Sequence, residues 1–333
     1  MISPGTIEHR EVQAPRAGPG EVLLRIRRIG VCGSDVHVNH GTHPFTGYPV
    51  IQGHEFSAVV EEIGDGVTEV AAGSKVTALP QEVCGACAPC RRGDHHICDE
   101  LKVRGFQAPG VAQDLFVTEA DKVVPLPEDF TFEQGAFIEP IAVAVHATAR
   151  APELTDRNVA VLGAGPIGNL VAQMCRCRGA RVLITDVSDF RLGVAAACGI
   201  DATSNARSKP LAEAGRHAFG DAGFDVAFDC AGVAATISEA VASINKGGTI
   251  VVVAVFEEPP AVDLALIGDH ELTVTGTLMY QRPDYEEAIR RVAAAEIATL
   301  PLESKHFSLE QFGDAYQYIE REGERCLKVF IDL

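Results

Sequence analysis

The chain has no tryptophan and no apolar run of the length a membrane span needs. The missing tryptophan decides nothing, whereas the missing span leaves no transmembrane segment to place. The start, Met1-Ile-Ser-Pro-Gly5, shows neither the basic nor the apolar segment of a secretory signal, so a cytoplasmic protein is expected. Basic residues are also scarce, 28 Lys and Arg against 46 Asp and Glu, for a formal charge of −18. A surface of that sign repels nucleic acid and anionic membranes and argues against both as partners. Internal repeats and low-complexity segments are absent too. The 333 residues suit two domains, each able to bury its own core.

What is present is organised around Asn158 to Gly168, Asn-Val-Ala-Val-Leu-Gly-Ala-Gly-Pro-Ile-Gly. Val159 to Leu162 read as a short buried strand, Gly163-Ala-Gly165-Pro166-Ile167-Gly168 as a tight turn, and Asn169 to Arg178 as the helix it opens. Gly163 permits the turn, Gly165 lets backbone approach a pyrophosphate, and Gly168 packs helix on strand, while the helix N-terminus favours the negative charge. The alternative is a glycine-rich turn with no ligand. A second strand, Arg181 to Thr185, ends in Asp186, and an acid there accepts from the ribose hydroxyls of NAD and repels the 2′-phosphate of NADP. NAD is therefore the expected cofactor. Arg191 could lie near the adenine ribose, and were it to reach a 2′-phosphate NADP would fit; it could equally be a solvated helix residue.

Before this turn the signals are strand-like and punctuated by Gly and Pro: Glu21 to Ile29, Phe56 to Ile63, Lys75 to Leu79, Leu115 to Val117 and Lys122 to Pro125. Phe132 to Arg150 predicts a helix that the Glu139-Pro140 step breaks or kinks. After the turn, strands alternate with helices as far as Leu272 to Gly276, which implies a parallel, doubly wound α/β sheet. The tail, with helices over Asp284 to Ala294 and Leu309 to Arg321 and a strand over Lys328 to Ile331, is assigned back to the first domain.

Ten cysteines could mean disulfides, but four fall in one cluster. Cys84-Gly-Ala-Cys87-Ala-Pro-Cys90, followed by Cys98, offers four thiolates from one loop. They saturate a tetrahedral Zn²⁺ and leave no open position, so the site would be structural, with an iron–sulfur cluster or unconnected thiols as the alternatives. A second set is spread wider: Cys32 in Gly30-Val-Cys-Gly-Ser-Asp-Val-His37, His54 and Glu55 in Gly53-His-Glu, and Glu139. Three such protein ligands plus an open position make a Lewis acid able to polarise an alcohol.

Gly30-Val-Cys-Gly-Ser-Asp, Gly53-His-Glu, the four-cysteine lobe, Ile138-Glu-Pro-Ile and the glycine turn with its Asp together resemble the zinc-dependent medium-chain dehydrogenases, close to the sorbitol and polyol, threonine and butanediol enzymes. The resemblance covers nearly the whole chain. It implies an irregular β-rich, GroES-like catalytic domain, residues 1–143 with 277–333 and a structural-zinc lobe at 84–98, and a Rossmann domain over 144–276. By it Cys32 and His54 are catalytic zinc ligands, and Glu55 and Glu139 compete for the remaining protein position. Ser34 matches the hydroxyl that takes the alcohol proton, and His37 the group that carries it towards solvent. Asp35 would hold local backbone or orient a ligand from behind.

The function so implied is reversible oxidation of a secondary alcohol of a polyol-like substrate to the ketone, with NAD. Threonine-type, aminocyclitol-type or vicinal-diol oxidation is the alternative, and a non-catalytic zinc and nucleotide-binding protein is the rival from another class. Met279 stands where the polyol enzymes carry an arginine beside a tyrosine, here Tyr280, which weakens a strict sorbitol reading. Relatives form dimers or tetramers through the nucleotide-domain sheet edge, around Thr249 to Leu278, so a homotetramer is expected.

Overall fold

In the computed structural model, which describes residues 1–333, a sheet grows on both sides of the strand β1 (Glu21–Val31). The chain continues through α1 (Gly33–His40), β2 (Glu55–Ile63), β3 (Lys75–Ala78), β4 (Gln81–Glu82), α2 (Ala88–Arg91), β5 (Lys102–Val103), β6 (Leu115–Glu119), β7 (Val123–Pro125) and α3 (Phe132–Ala149). An alternating stretch follows: β8 (Asn158–Leu162), α4 (Pro166–Cys177), β9 (Arg181–Asp186), α5 (Asp189–Ala197), β10 (Ala202–Asn205), α6 (Leu211–Phe219), β11 (Val226–Asp229), α7 (Ala234–Ser243), β12 (Thr249–Val252), α8 (Leu264–Asp269) and β13 (Thr273–Gly276). The tail is α9 (Arg282–Ala293), β14 (Glu303–Ser308), α10 (Phe312–Glu322) and β15 (Lys328–Asp332).

Two compact units result: Met1–Glu139 with Gln281–Ala293 and Glu303–Leu333, and Pro140–Tyr280 with Ala294–Leu302. In the first, the strands run β14-β15-β1-β2-β3-β7, with β6 also paired to β1. β1 is antiparallel to β2 and to β15, which places Gly30 opposite Glu55 and Val31 opposite Val329. Leu24, Ile26, Ile29, Phe56, Val60, Val329 and Ile331 form its core and are almost fully buried, each contributing about 1.5–3 kcal/mol relative to exposure.

The second unit holds a six-stranded sheet in the order β10-β9-β8-β11-β12-β13, parallel throughout. Every residue of β8 is buried, the pattern of a central parallel strand covered on both faces. The chain order changes direction beside β8, and in such sheets ligands sit at the carboxyl ends of the strands flanking that point.

The tail does not lie wholly with the first unit. Ala294–Leu302 belongs to the second, where Gln173 of α4 helps to hold it, Nε2 donating to Ala298 O at 3.2 Å and Oε1 accepting from Ala298 N at 2.7 Å. Helix α3 runs as one element through Pro140, where a break or a kink was expected, its buried residues Phe137, Ile138, Ile141 and Ala144 holding it despite the missing N–H. No helix is long and apolar enough to cross a membrane.

Candidate active site

Cys32 leaves β1 and caps α1, a helix the sequence reading did not anticipate. The Cys32 N–H donates to Asp35 Oδ2 at 2.9 Å, and Gly41 ends the helix in the left-handed conformation, φ 76°. This single short element carries Ser34 and His37 three residues apart, hence on one side of the helix. Ser34 is half-buried and His37 exposed, with Thr42 Oγ1 3.4 Å from its Nδ1.

His54 and Glu55 enter at the head of β2, behind Gly53 at φ 93°. The ligand atoms of Cys32, His54 and Glu55 lie within 4.8 Å of one another. Zinc bonds of about 2.0–2.3 Å place the corners of a tetrahedron about 3.3–3.8 Å apart, so a thiolate, an imidazole and a carboxylate at this spacing fit one such ion. His54 and Glu55 are both buried, which keeps competing water away. Glu139 is buried as well and acts electrostatically on His54, but it lies outside that group of three. Behind His54 stands Asp35, fully buried; burial pushes its carboxyl up, opposed by His54 and by the bond from Cys32. Phe106 packs on the His54 ring at 4.9 Å and stacks flat against His43 at 4.6 Å, forming an aromatic wall beside the donors.

The four lobe cysteines gather within the same 4.8 Å span, and all ten cysteines of the chain are free thiols. Backbone amides point at the sulfurs: Cys87 N at Cys84 Sγ, and Cys84 N and Glu100 N at Cys98 Sγ, each at 3.3 Å. Such donors stabilise thiolates. The regular structure nearby is the β4–β5 pair, one turn of α-helix and one of 3-10 helix at His95–Ile97, so the lobe has little else to fold around.

In the second unit, Gly163 adopts φ 98° at the end of β8, and a Cβ there would meet the Cys230–Ala231 backbone at 3.1 Å. A Cβ on Gly168 would stand 1.9 Å from Gly163 O, whereas one on Gly165 would meet nothing within 4 Å. The open flank of the turn is thus at Gly165, the N-cap of α4, followed by Pro166 and Ile167 in the first helical turn. Asp186 fastens this turn from the next strand, Oδ2 accepting from Ala164 N at 2.6 Å and Oδ1 from Ser188 N at 2.8 Å. Each oxygen keeps a second lone pair for a ribose hydroxyl. Ser188 caps α5 by accepting from Arg191 N at 3.3 Å, which sets the half-buried Arg191 in the first turn of that helix.

Two buried residues escaped the sequence reading. Asp229, ending β11, accepts from Ala231 N, Gly232 N and Thr236 Oγ1 and so closes the turn beside Gly163. Lys328 pairs with Glu55 across 273 residues, a separation over which no local spacing gives a signal.

A mixed thiolate, imidazole and carboxylate site on one unit and a phosphate-ready glycine turn with an acid-ended strand on the other define a metal-dependent oxidoreductase that uses a dinucleotide. Residues 18–128 match the alcohol dehydrogenase GroES-like domain and residues 166–294 the zinc-binding dehydrogenase domain. The chain is 34% identical over 304 residues to the 2-dehydro-3-deoxy-L-galactonate 5-dehydrogenase of Pseudoalteromonas atlantica, covering 91% of this chain and 88% of that one. It is 29% identical over 336 residues to the sorbitol dehydrogenase of Bacillus subtilis, covering 98% and 94%. A zinc-binding dehydrogenase from Sinorhizobium meliloti, crystallised with NADP bound, superposes with a TM-score of 0.93 at 29% identity, covering 100% of this chain and 97% of that one. The chain belongs to the zinc-dependent medium-chain dehydrogenases, enzymes of the alcohol dehydrogenase superfamily. It is an oxidoreductase acting on CH–OH donors, with zinc and a nicotinamide dinucleotide as cofactors.

Proposed function

We propose that this enzyme reversibly oxidises a secondary alcohol of a polyol-like substrate to the ketone, with NAD as acceptor. The observation that carries the reading is the grouping of Cys32, His54 and Glu55 directly beside the helical turn bearing Ser34 and His37. Zinc held there supplies a Lewis acid for the alcohol oxygen, and the nicotinamide supplies the hydride acceptor. The chain's own work is to move the proton: Ser34 Oγ accepts it from the substrate hydroxyl and, through the exposed His37 imidazole, it reaches solvent. Cys32 and His54 hold the ion, Glu55 of the two competing acids supplies the third protein ligand with Glu139 outside the group, and Cys84, Cys87, Cys90 and Cys98 hold a second, structural zinc.

Asp186 favours NAD, since a 2′-phosphate would meet its carboxylate. Arg191 in the neighbouring helical turn is the feature that would favour NADP, the dinucleotide bound in the Sinorhizobium relative. Relatives named as 2-dehydro-3-deoxy-L-galactonate and sorbitol dehydrogenases support a polyhydroxylated substrate. Sorbitol itself fits less well: Met279, half-buried at φ 51°, replaces the expected arginine, and Tyr280 is fully buried.

A homo-oligomer, dimer or tetramer, in the cytoplasm completes the reading. Its support is the free edge of β13 with Val274 and Leu278 exposed, a feature that soluble chains commonly cover by pairing. The test is a panel of polyols, cyclitols, vicinal diols, amino alcohols and simple alcohols, followed by NADH absorbance. Turnover of polyhydroxylated secondary alcohols with NAD is expected. Activity confined to simple primary alcohols, or to NADP, would overturn the corresponding part of the reading.

A further inference from the structure

Glu55 and Lys328 lie on β2 and β15, the two strands that flank β1. For their side chains to meet they must cross β1, and they cross at Gly30, where a Cβ would lie 2.3 Å from Glu55 Oε2. Only glycine leaves that passage open. Lys328 Nζ donates to Glu55 Oε2 at 2.6 Å, to Oε1 at 2.8 Å and to Val31 O at 3.2 Å, which uses all three of its protons. The lysine side chain is 4% exposed and that of Glu55 1%, so no water competes for the pair. Val31 immediately precedes Cys32, so the ammonium ties the backbone beside one metal donor to the carboxylate of another.

We propose that Lys328 is a positioning residue of the metal centre: by gripping both oxygens of Glu55 across Gly30 it fixes where that carboxylate stands beside Cys32 and His54, and so sets how the ion is held. A buried carboxylate that loses this grip is free to turn, and a turn displaces a donor. The inference rests on the metal site of the proposed function, not on the identity of the alcohol or on turnover.

The test measures the metal directly in the intact enzyme. Zinc affinity is read by chelator competition, and cobalt(II) loaded in place of the Cys32-bound zinc reports its ligands through the visible spectrum. Lys328→Met is expected to weaken zinc about ten- to hundredfold, the usual range for loss of an outer partner of a metal ligand, and to shift the cobalt bands; Lys328→Arg should recover most of both. In a Glu55→Gln background the added Lys328→Met change should do little more. Wild-type affinity and spectrum in Lys328→Met, or the same loss in both backgrounds, overturns the proposal while leaving the metal site standing. If Lys328→Met alone does not fold, Glu55→Gln and the double variant decide: matching affinities support the clamp, and a further drop overturns it. A wild-type chain that takes up only the lobe's ion overturns both the clamp and the metal reading.

Discussion

Asp35 Oδ1 and His54 Nδ1 face each other at 3.8 Å, both buried and neither with a hydrogen-bond partner. The distance is too long for a hydrogen bond and short enough for one to form with a small turn of the ring. An ion on the other imidazole nitrogen would fix that turn and leave Nδ1–H to Asp35. Asp35→Asn should therefore weaken zinc about ten- to hundredfold while keeping the helix that Asp35 caps, as checked by chelator competition and circular dichroism.

The same pair dictates a pH dependence. Burial opposes a charged His54, but Asp35, with Cys32 and Glu139, outweighs it and lifts the metal-free imidazole to about 10. At neutral pH zinc must displace that proton, so affinity rises with pH until about 10 and falls on acidification. Zinc added to metal-free protein at pH 7 should release protons into a weakly buffered indicator solution, and Asp35→Asn should release fewer.

The two glycines of the cofactor turn should separate folding from binding. Gly168→Ala forces a methyl against Gly163 O and should cost about 1–3 kcal/mol of stability, as overpacking does. Gly165→Ala meets open space and should leave the melting temperature nearly unchanged, yet block the approach of the pyrophosphate. Thermal unfolding and NADH fluorescence titration, run on both variants, check the contrast.

Asp186→Ala removes the acceptor of Ala164 N and Ser188 N as well as the acid facing the ribose. The preference for NAD over NADP should fall at least about tenfold, the worth of one hydrogen bond to a charged group, with a drop of about 1–3 kcal/mol in stability for the amides left bare. Comparing kcat/KM for the two dinucleotides checks it, and an unchanged ratio would remove Asp186 from cofactor selection.

In the lobe, Cys98→Ser removes a sulfur that two backbone amides address. Metal content should drop from two ions to one per chain, and residues around Cys84 to Cys98 should become the first point of proteolytic cleavage. Catalytic-site metal should persist, as seen by the cobalt spectrum.

Much of this was legible in the sequence because its signals are local. The β8–Gly163–α4 turn announces itself within eleven residues, and the lobe by cysteines three and eight positions apart. Cys32, His54 and Glu55 could be named singly, but their convergence depends on β1 and β2 pairing in one register, which spacing does not encode. Helix α1 was missed because it has no apolar stripe; its cap, Asp35 three residues after Cys32, was the available clue. The attachment of Ala294–Leu302 to the second unit runs through Gln173, Cys177 and Cys198, isolated side chains on or beside two otherwise ordinary helices. Lys328 was beyond reach for the same reason that the clamp is effective: its partner lies at the other end of the sequence.

That insertion of β15 between β14 and β1 imposes an order of assembly. Pro140–Tyr280 holds all six strands of its sheet in one continuous stretch and can close as soon as it leaves the ribosome. The sheet around β1 gains its β15 edge only when Lys328–Asp332 has been made. The grip of Lys328 on Glu55 beside the metal donors can therefore form only once Lys328 has been made, after every strand of the nucleotide sheet.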